Sequence, residues 1–152
     1  MKKVFASFLI LASLTMTCFA GAVDLAGDEE YGDAGVVPFA TGTWSNETVT
    51  VPGGNGSGYT STYNLKKTST KMASFHCTYK SHDRGFDARL INSENESRSG
   101  WARNLDVNKT YHVQESSEIA TNHYYYCEVS SDLFTSGDTD VTIYFSADNV
   151  SW

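Results

Sequence analysis

The chain has 152 residues, 40% hydrophobic and 13% aromatic, with 11 basic and 18 acidic side chains and two prolines. That length suits one domain and excludes a large multidomain enzyme, while a charged fraction of only 19% with plentiful aromatic and β-branched residues excludes a wholly disordered chain. The acidic balance disfavours phosphate backbones, so no nucleic-acid partner is expected, and it disfavours anionic membrane surfaces for the same reason.

Residues 1–22 open with Lys2 and Lys3, continue as an apolar run over 4–14, and reach the small residues Ala20, Gly21 and Ala22. A basic start, an apolar middle and an A-x-A end make a secretory signal peptide, cleaved after Ala22 or, as second choice, after Ala20, and predict a secreted, extracellular protein. The apolar run is shorter than the roughly 20 residues that span a bilayer. No second such run follows, so the mature chain is expected to have no transmembrane segment. Cys18 raises the alternative of an acylated lipoprotein, but Thr15, Met16 and Thr17 precede it in place of a Leu-small-small run. Cleavage removes Lys2 and Lys3 and no acid, leaving 9 basic against 18 acidic groups and a net charge of −9.

Residues 23–42 are rich in Gly, Ala and acid, including Asp28-Glu29-Glu30 and Asp33, and read as a flexible acidic leader. A calcium loop would need the D-x-[DN]-x-[DN]-G spacing, which this stretch lacks.

Residues 43–152 have period two almost throughout. Ala73, Phe75, Cys77 and Tyr79 fall on one face of a segment whose Ser74, His76 and Thr78 fall on the other, as a half-buried strand requires. The same alternation predicts strands over 44–51, 59–67, 73–79, 86–90, 105–113, 123–129 and 141–147. Turns separate them: the glycine-rich run 53–58, His82-Asp83-Arg84-Gly85 and Ser136-Gly137-Asp138. The expected fold is all-β, an antiparallel β-sandwich of about seven strands. Because the mature chain keeps two cysteines, Cys77 and Cys127, export predicts one disulfide between them. Its loop of about 50 residues would be worth roughly 4 kcal/mol in the entropy model.

Three resemblances follow from particular residues. Cys77, Trp101 and Cys127, with Tyr125 two residues before the second cysteine, resemble the disulfide, core tryptophan and tyrosine corner of immunoglobulin-like domains, although Trp101 follows Ser99-Gly100 and position 121 is Thr. Over a longer stretch, the run 66–70, the Lys109-Thr110-Tyr111-His112-Val113 segment, the tyrosine-rich strand 123–129 and the Trp-bearing end 146–152 resemble uncharacterised small secreted all-β proteins of Gram-positive bacteria. That likeness implies a secreted all-β domain with no assigned activity. Gly42-Thr43-Trp44 and Tyr124-Tyr125 also resemble elements of lactococcin 972-type bacteriocins, which would imply a toxin-like role.

The chain lacks H-E-x-x-H, G-x-S-x-G, Walker A and Rossmann glycine patterns, so no enzyme activity and no cofactor or metal are expected. His76 and His112 fall on the polar faces of their strands and could in principle converge on a metal, but their separation in sequence gives that no support, and ordinary surface histidines are the simpler reading. Asp138 and Asp140 would act on a glycosidic bond only if a groove held them at a suitable distance.

The aromatic residues on polar faces give the candidate binding site. If Tyr125 and Cys127 face the core, Tyr124 and Tyr126 face outward, as does Tyr144 in the last strand, and Trp101 lies in a loop. Exposed rings stack on sugars or anchor protein partners because they bury much apolar area with few rotors to freeze. Tyrosine also simply suits sheets. The expected function is a secreted, non-enzymatic binding or cell-surface interaction module whose partner is an unknown protein or glycan, with a bacteriocin or toxin-like protein as the alternative.

Overall fold

The computed structural model describes residues 42–152; the expected signal peptide 1–22 and the expected acidic leader through residue 41 lie outside the described residues. Eight strands follow in chain order: β1 (Ser45–Val51), β2 (Ser57–Tyr59), β3 (Asn64–Leu65), β4 (Met72–Lys80), β5 (Phe86–Ile91), β6 (Lys109–Gln114), β7 (Tyr124–Ser131) and β8 (Thr139–Ser146). The first sheet has the order β1-β8-β4-β6, and the second is built on β7, with β5 on one edge and the short β2 and β3 on the other. Every strand pair is antiparallel. The all-β antiparallel sandwich expected from the alternation is therefore the observed architecture.

Between the sheets lie the alternate residues of each strand. Phe75, Phe86, Leu90, Val129, Ile143 and Phe145 are almost fully buried in one cluster, each contributing about 1.5–3 kcal/mol of transfer free energy. Tyr125 also points inward, and its hydroxyl accepts from Ala120 N at 2.8 Å.

The predicted strand 59–67 is observed as two pieces. The carboxylate of Glu47 on β1 accepts the backbone N–H groups of Ser61 and Thr62 at 2.9 and 2.7 Å, and Thr60 Oγ1 donates to Thr62 O. Those donors are diverted from the ladder, so pairing with β7 lapses between Tyr59 and Asn64. In the predicted strand 105–113, Asn108 turns the chain at a φ of 61° and the ladder begins only at Lys109.

Tyr79 was expected on the core face and is exposed instead. The register of β4 against β8 shifts between His76 and Tyr79, where Cys77 and Thr78 oppose Ile143 alone. A bulge of one extra residue reverses the faces beyond it: Tyr79 turns outward and Lys80, paired with the core residue Val141, turns inward.

The disulfide predicted between Cys77 and Cys127 is not formed; both cysteines are buried and free. They belong to β4 and β7, in opposite sheets. Each sulfur turns instead toward a carbonyl of its own strand, Cys77 Sγ to Tyr79 O and Cys127 Sγ to Glu128 O. Burial pushes both thiols up, Cys127 well above the usual range, which suppresses the thiolate needed for exchange.

One side of the sandwich is closed by backbone. The segment after β5 bonds back to it through Ala88 N to Ala102 O and Ala102 N to Ala88 O, and also reaches the end of β6 through Gly100 N to Gln114 O and Ser116 N to Arg98 O. The end where β1, β4 and β7 begin is closed by charge. There Lys66, 1% exposed, donates to Thr70 O, to Ala147 O and to Glu115 Oε1 at 3.0 Å, with Asp148 Oδ1 at 3.4 Å.

Candidate functional site

The outer face of the β7 sheet collects the exposed Tyr59, Tyr63 and Tyr124. Tyr124, Tyr126, Glu128 and Ser130 alternate outward along β7, and cross-strand pairing places Tyr59 beside Glu128 on the same face. Tyr63, from the diverted stretch between β2 and β3, packs on this strand with its ring 4.5 Å from that of Tyr124 and 6.3 Å from that of Tyr126. Tyr59, Tyr63 and Tyr124 are each about half exposed.

Next to the tyrosines is a groove of 350 Å³ whose lining includes Asp87, Trp101, Arg103, Glu128 and Ser130. Arg89 on β5 donates from Nε to Glu128 Oε2 at 2.6 Å and lies 4.3 Å over the Trp101 ring, and Arg103 lies over the same ring at 5.4 Å. Arg103 in turn pairs with Asp87, which also accepts Asn104 N. The indole thus lies beside two guanidinium groups, each anchored by a carboxylate. Such a strip presents flat π faces beside fixed hydrogen-bond donors and acceptors, the combination that recognises sugar rings or planar polar side chains.

Of the four expected contact residues, the structure brings three to this face. Tyr124 and Tyr126 project from β7 as the alternation requires. Trp101 belongs to the strip that edges β5 and is half-buried on the outer face, so it is not a core tryptophan. Tyr144 lies on the outer face of the other sheet, where it meets Trp152 edge-on at 4.7 Å. It forms a separate cluster in which Trp152 stacks on His76 at 3.8 Å and Trp44 contacts Trp152 at 5.6 Å. Tyr59 and Tyr63 were not expected as contacts. The residues between them leave the ladder, so no period-two pattern carries their orientation, and only the spacing Tyr59-x-x-x-Tyr63 hinted at it.

The histidines are not both ordinary surface groups. His112 is exposed, with Nδ1 against Ser74 Oγ at 3.0 Å, but His76 is 2% exposed beneath Trp152, its Nδ1 bonded to Thr110 Oγ1 and its Nε2 without a partner among the described residues. Burial lowers the pKa of His76, which favours the neutral ring. Asp138 and Asp140 are both exposed, and Asp140 accepts from Thr50 Oγ1 at 2.7 Å. Among the described residues no three His, Cys, Asp or Glu side chains gather as a metal site, and no helix is long and apolar enough to cross a membrane. At the opposite end of the sandwich from Lys66, a shallow groove of 470 Å³ lies among Arg84, Gly85 and residues 132–136.

Compared with known proteins, the chain matches no family model and no curated protein.

Proposed function

We propose that this is a secreted, non-enzymatic binding module that engages a glycan or protein on a cell surface through the outer face of the β7 sheet. The observation that carries the reading is the strip Tyr63, Tyr124, Tyr126, Glu128, Arg89 and Trp101, in which aromatic rings and a carboxylate–guanidinium pair share one sheet face. Export rests on the layout of residues 1–22. Aromatic rings contribute most where they are rigid and partly desolvated, and here Tyr63 braces Tyr124 and two arginines brace Trp101. Co-sedimentation with purified bacterial cell walls, cellulose and chitin tests it. Binding to one of these that Trp101→Ala and Tyr124→Ser together weaken by tenfold or more supports the reading; binding that both variants leave unchanged removes this face from the function.

A second reading, a toxin-like protein acting on bacterial envelopes, draws on Leu133 and Phe134, 66% and 95% exposed on the β7–β8 loop. Apolar tips of this kind insert into membrane interfaces or partner pockets. Growth inhibition of bacteria by the wild type and not by Phe134→Ser would favour it over the glycan-binding reading.

A further inference from the structure

The charged group that closes the Lys66 end has more in it than a salt bridge requires. Lys66 follows β3 in one sheet, Glu115 follows β6 and Asp148 follows β8 in the other, and the side chains are 2%, 0% and 0% exposed. One ammonium between two carboxylates leaves one negative charge uncompensated in a dry site unless Glu115 holds a proton, and the Lys66–Asp148 ion pair carries a desolvation cost of its own. We propose that Lys66 and Asp148 join in an intramolecular isopeptide bond, with Glu115 carrying the protons.

Each part of that reaction has its group in place. The nucleophile, Lys66 Nζ, lies 3.4 Å from Asp148 Oδ1, the oxygen bonded to the carbon it attacks. It is held on its other sides by Thr70 O and Ala147 O. Glu115 Oε1 sits 3.0 Å from the same nitrogen, and Glu115 Oε2 has no hydrogen-bond partner among the described residues. Burial raises the pKa of Glu115, against the opposing hydrogen bond and charge of Lys66, and so favours the acid form. The Asp148 carboxyl is gripped by Lys67 N at 3.0 Å, Thr68 N at 2.9 Å and Thr68 Oγ1 at 2.7 Å. Donors fixed around a carboxyl oxygen are where the negative charge of a tetrahedral intermediate is stabilised.

The steps balance without any outside reagent. Lys66 gives one proton, by way of Glu115, to the Asp148 carboxylate, so that a neutral amine faces a neutral carboxylic acid. The nitrogen lone pair attacks Cγ, the C–N bond forms and the carbonyl oxygen takes the charge among its donors. A second amine proton passes through Glu115 to the acid's hydroxyl, the C–O bond breaks and water leaves. Glu115 ends in its starting protonation state, and two buried ions have become one neutral amide. Fixed placement replaces a bimolecular encounter, which is worth many orders of magnitude in effective concentration.

The bond would tie β3 of one sheet to β8 of the other in a chain whose two buried thiols are unbonded. Mass spectrometry of the purified full chain tests it, with the N-terminus read from the same peptide map. The expected result is an intact mass lower than the sequence mass by one water, no tryptic cleavage after Lys66, and a branched peptide joining residues 66 and 148. Lys66→Arg keeps the charge and cannot form the amide, so its mass should equal the sequence mass; this controls for water lost elsewhere. Glu115→Gln should return the full mass, and a variant that still loses water would overturn the role of Glu115. A folded wild type of full sequence mass, cleaved normally after Lys66, overturns the bond and leaves an ion pair.

Discussion

Two lysines point into this sandwich, one at each end, and they are accommodated in opposite ways. Lys66 is enclosed with Glu115 and Asp148, neither of whose side chains is exposed. Lys80, its side chain 8% exposed, reaches Arg84 O at 2.9 Å and Leu105 O at 3.1 Å, while its carboxylate partner Asp83 at 3.7 Å is fully in solvent. A buried ammonium needs acceptors wherever it sits, but only the end that is sealed from water also needs countercharge. Lys80 buries its stem and delivers its charge to loop carbonyls near the surface, as long basic side chains do. The loops at its end carry the exposed Leu133 and Phe134 and the shallow groove beside Arg84. One end is closed, and the other leaves large apolar side chains in solvent.

The sharpest way to break that contrast is to neutralise each lysine in turn. Lys66→Met leaves the buried Asp148 without the nitrogen that pairs with or bonds to it and should cost about 3–5 kcal/mol, read as a fall in the denaturation midpoint. Lys80→Met keeps the apolar stem and orphans carbonyls at a wetter site, so about 1–2 kcal/mol is expected. Equal losses would mean that the ends are equally dry.

Acid and base sharpen the same point. Burial raises the folded pKa of Glu115 above its ordinary value of 4.5, so the folded state holds this proton more tightly than the unfolded chain. Its contribution to stability is therefore complete below pH 4.5 and is lost as pH rises through the folded pKa. Glu115→Gln, which cannot ionise, should flatten the pH dependence of stability in that window. An unchanged slope would show that another group sets it.

How much of this was legible in the sequence follows from the same residues. The sandwich was, because alternation reports directly which side chains face a core. Phe75, Leu90, Val129 and Ile143 all lie where that rule puts them. The inward lysines were not, since a charged residue on a core face looks like a break in the pattern. Lys66 continues the inward set of Asn64 beyond the end of β3, and Lys80 becomes inward only through the bulge at Cys77 and Thr78. Neither a bulge nor a distant pair of carboxylates leaves a local mark. The candidate site was legible where it rests on regular strand, at Tyr124 and Tyr126, and lost where the backbone leaves the ladder, at Tyr59 and Tyr63. Tyr144 faced outward as expected, but which sheet β8 joins is a matter of topology that alternation does not carry. The disulfide failed for a related reason: two inward cysteines are a property of the pattern, while their separation is a property of the packing.

The smallest effect is expected at the exposed tip of the open end. The loop that carries Phe134 is held by its backbone, through Gly54 N to Thr135 O at 2.6 Å and Thr135 N to Asp132 O at 3.0 Å. It packs so closely on the preceding turn that a Cβ on Gly53 would meet Thr135 O at 2.5 Å. Phe134 itself, 95% exposed, removes almost no apolar area from water and so stabilises almost nothing. Phe134→Ser should shift stability by no more than about 0.5 kcal/mol, whereas Gly53→Ala, which pushes the loop off its support, should cost more. If Phe134→Ser instead lowered the midpoint well beyond that, and the wild type's midpoint rose with protein concentration, the ring would be buried in solution against a second copy. The end opposite Lys66 would then be closed too, by association in place of charge.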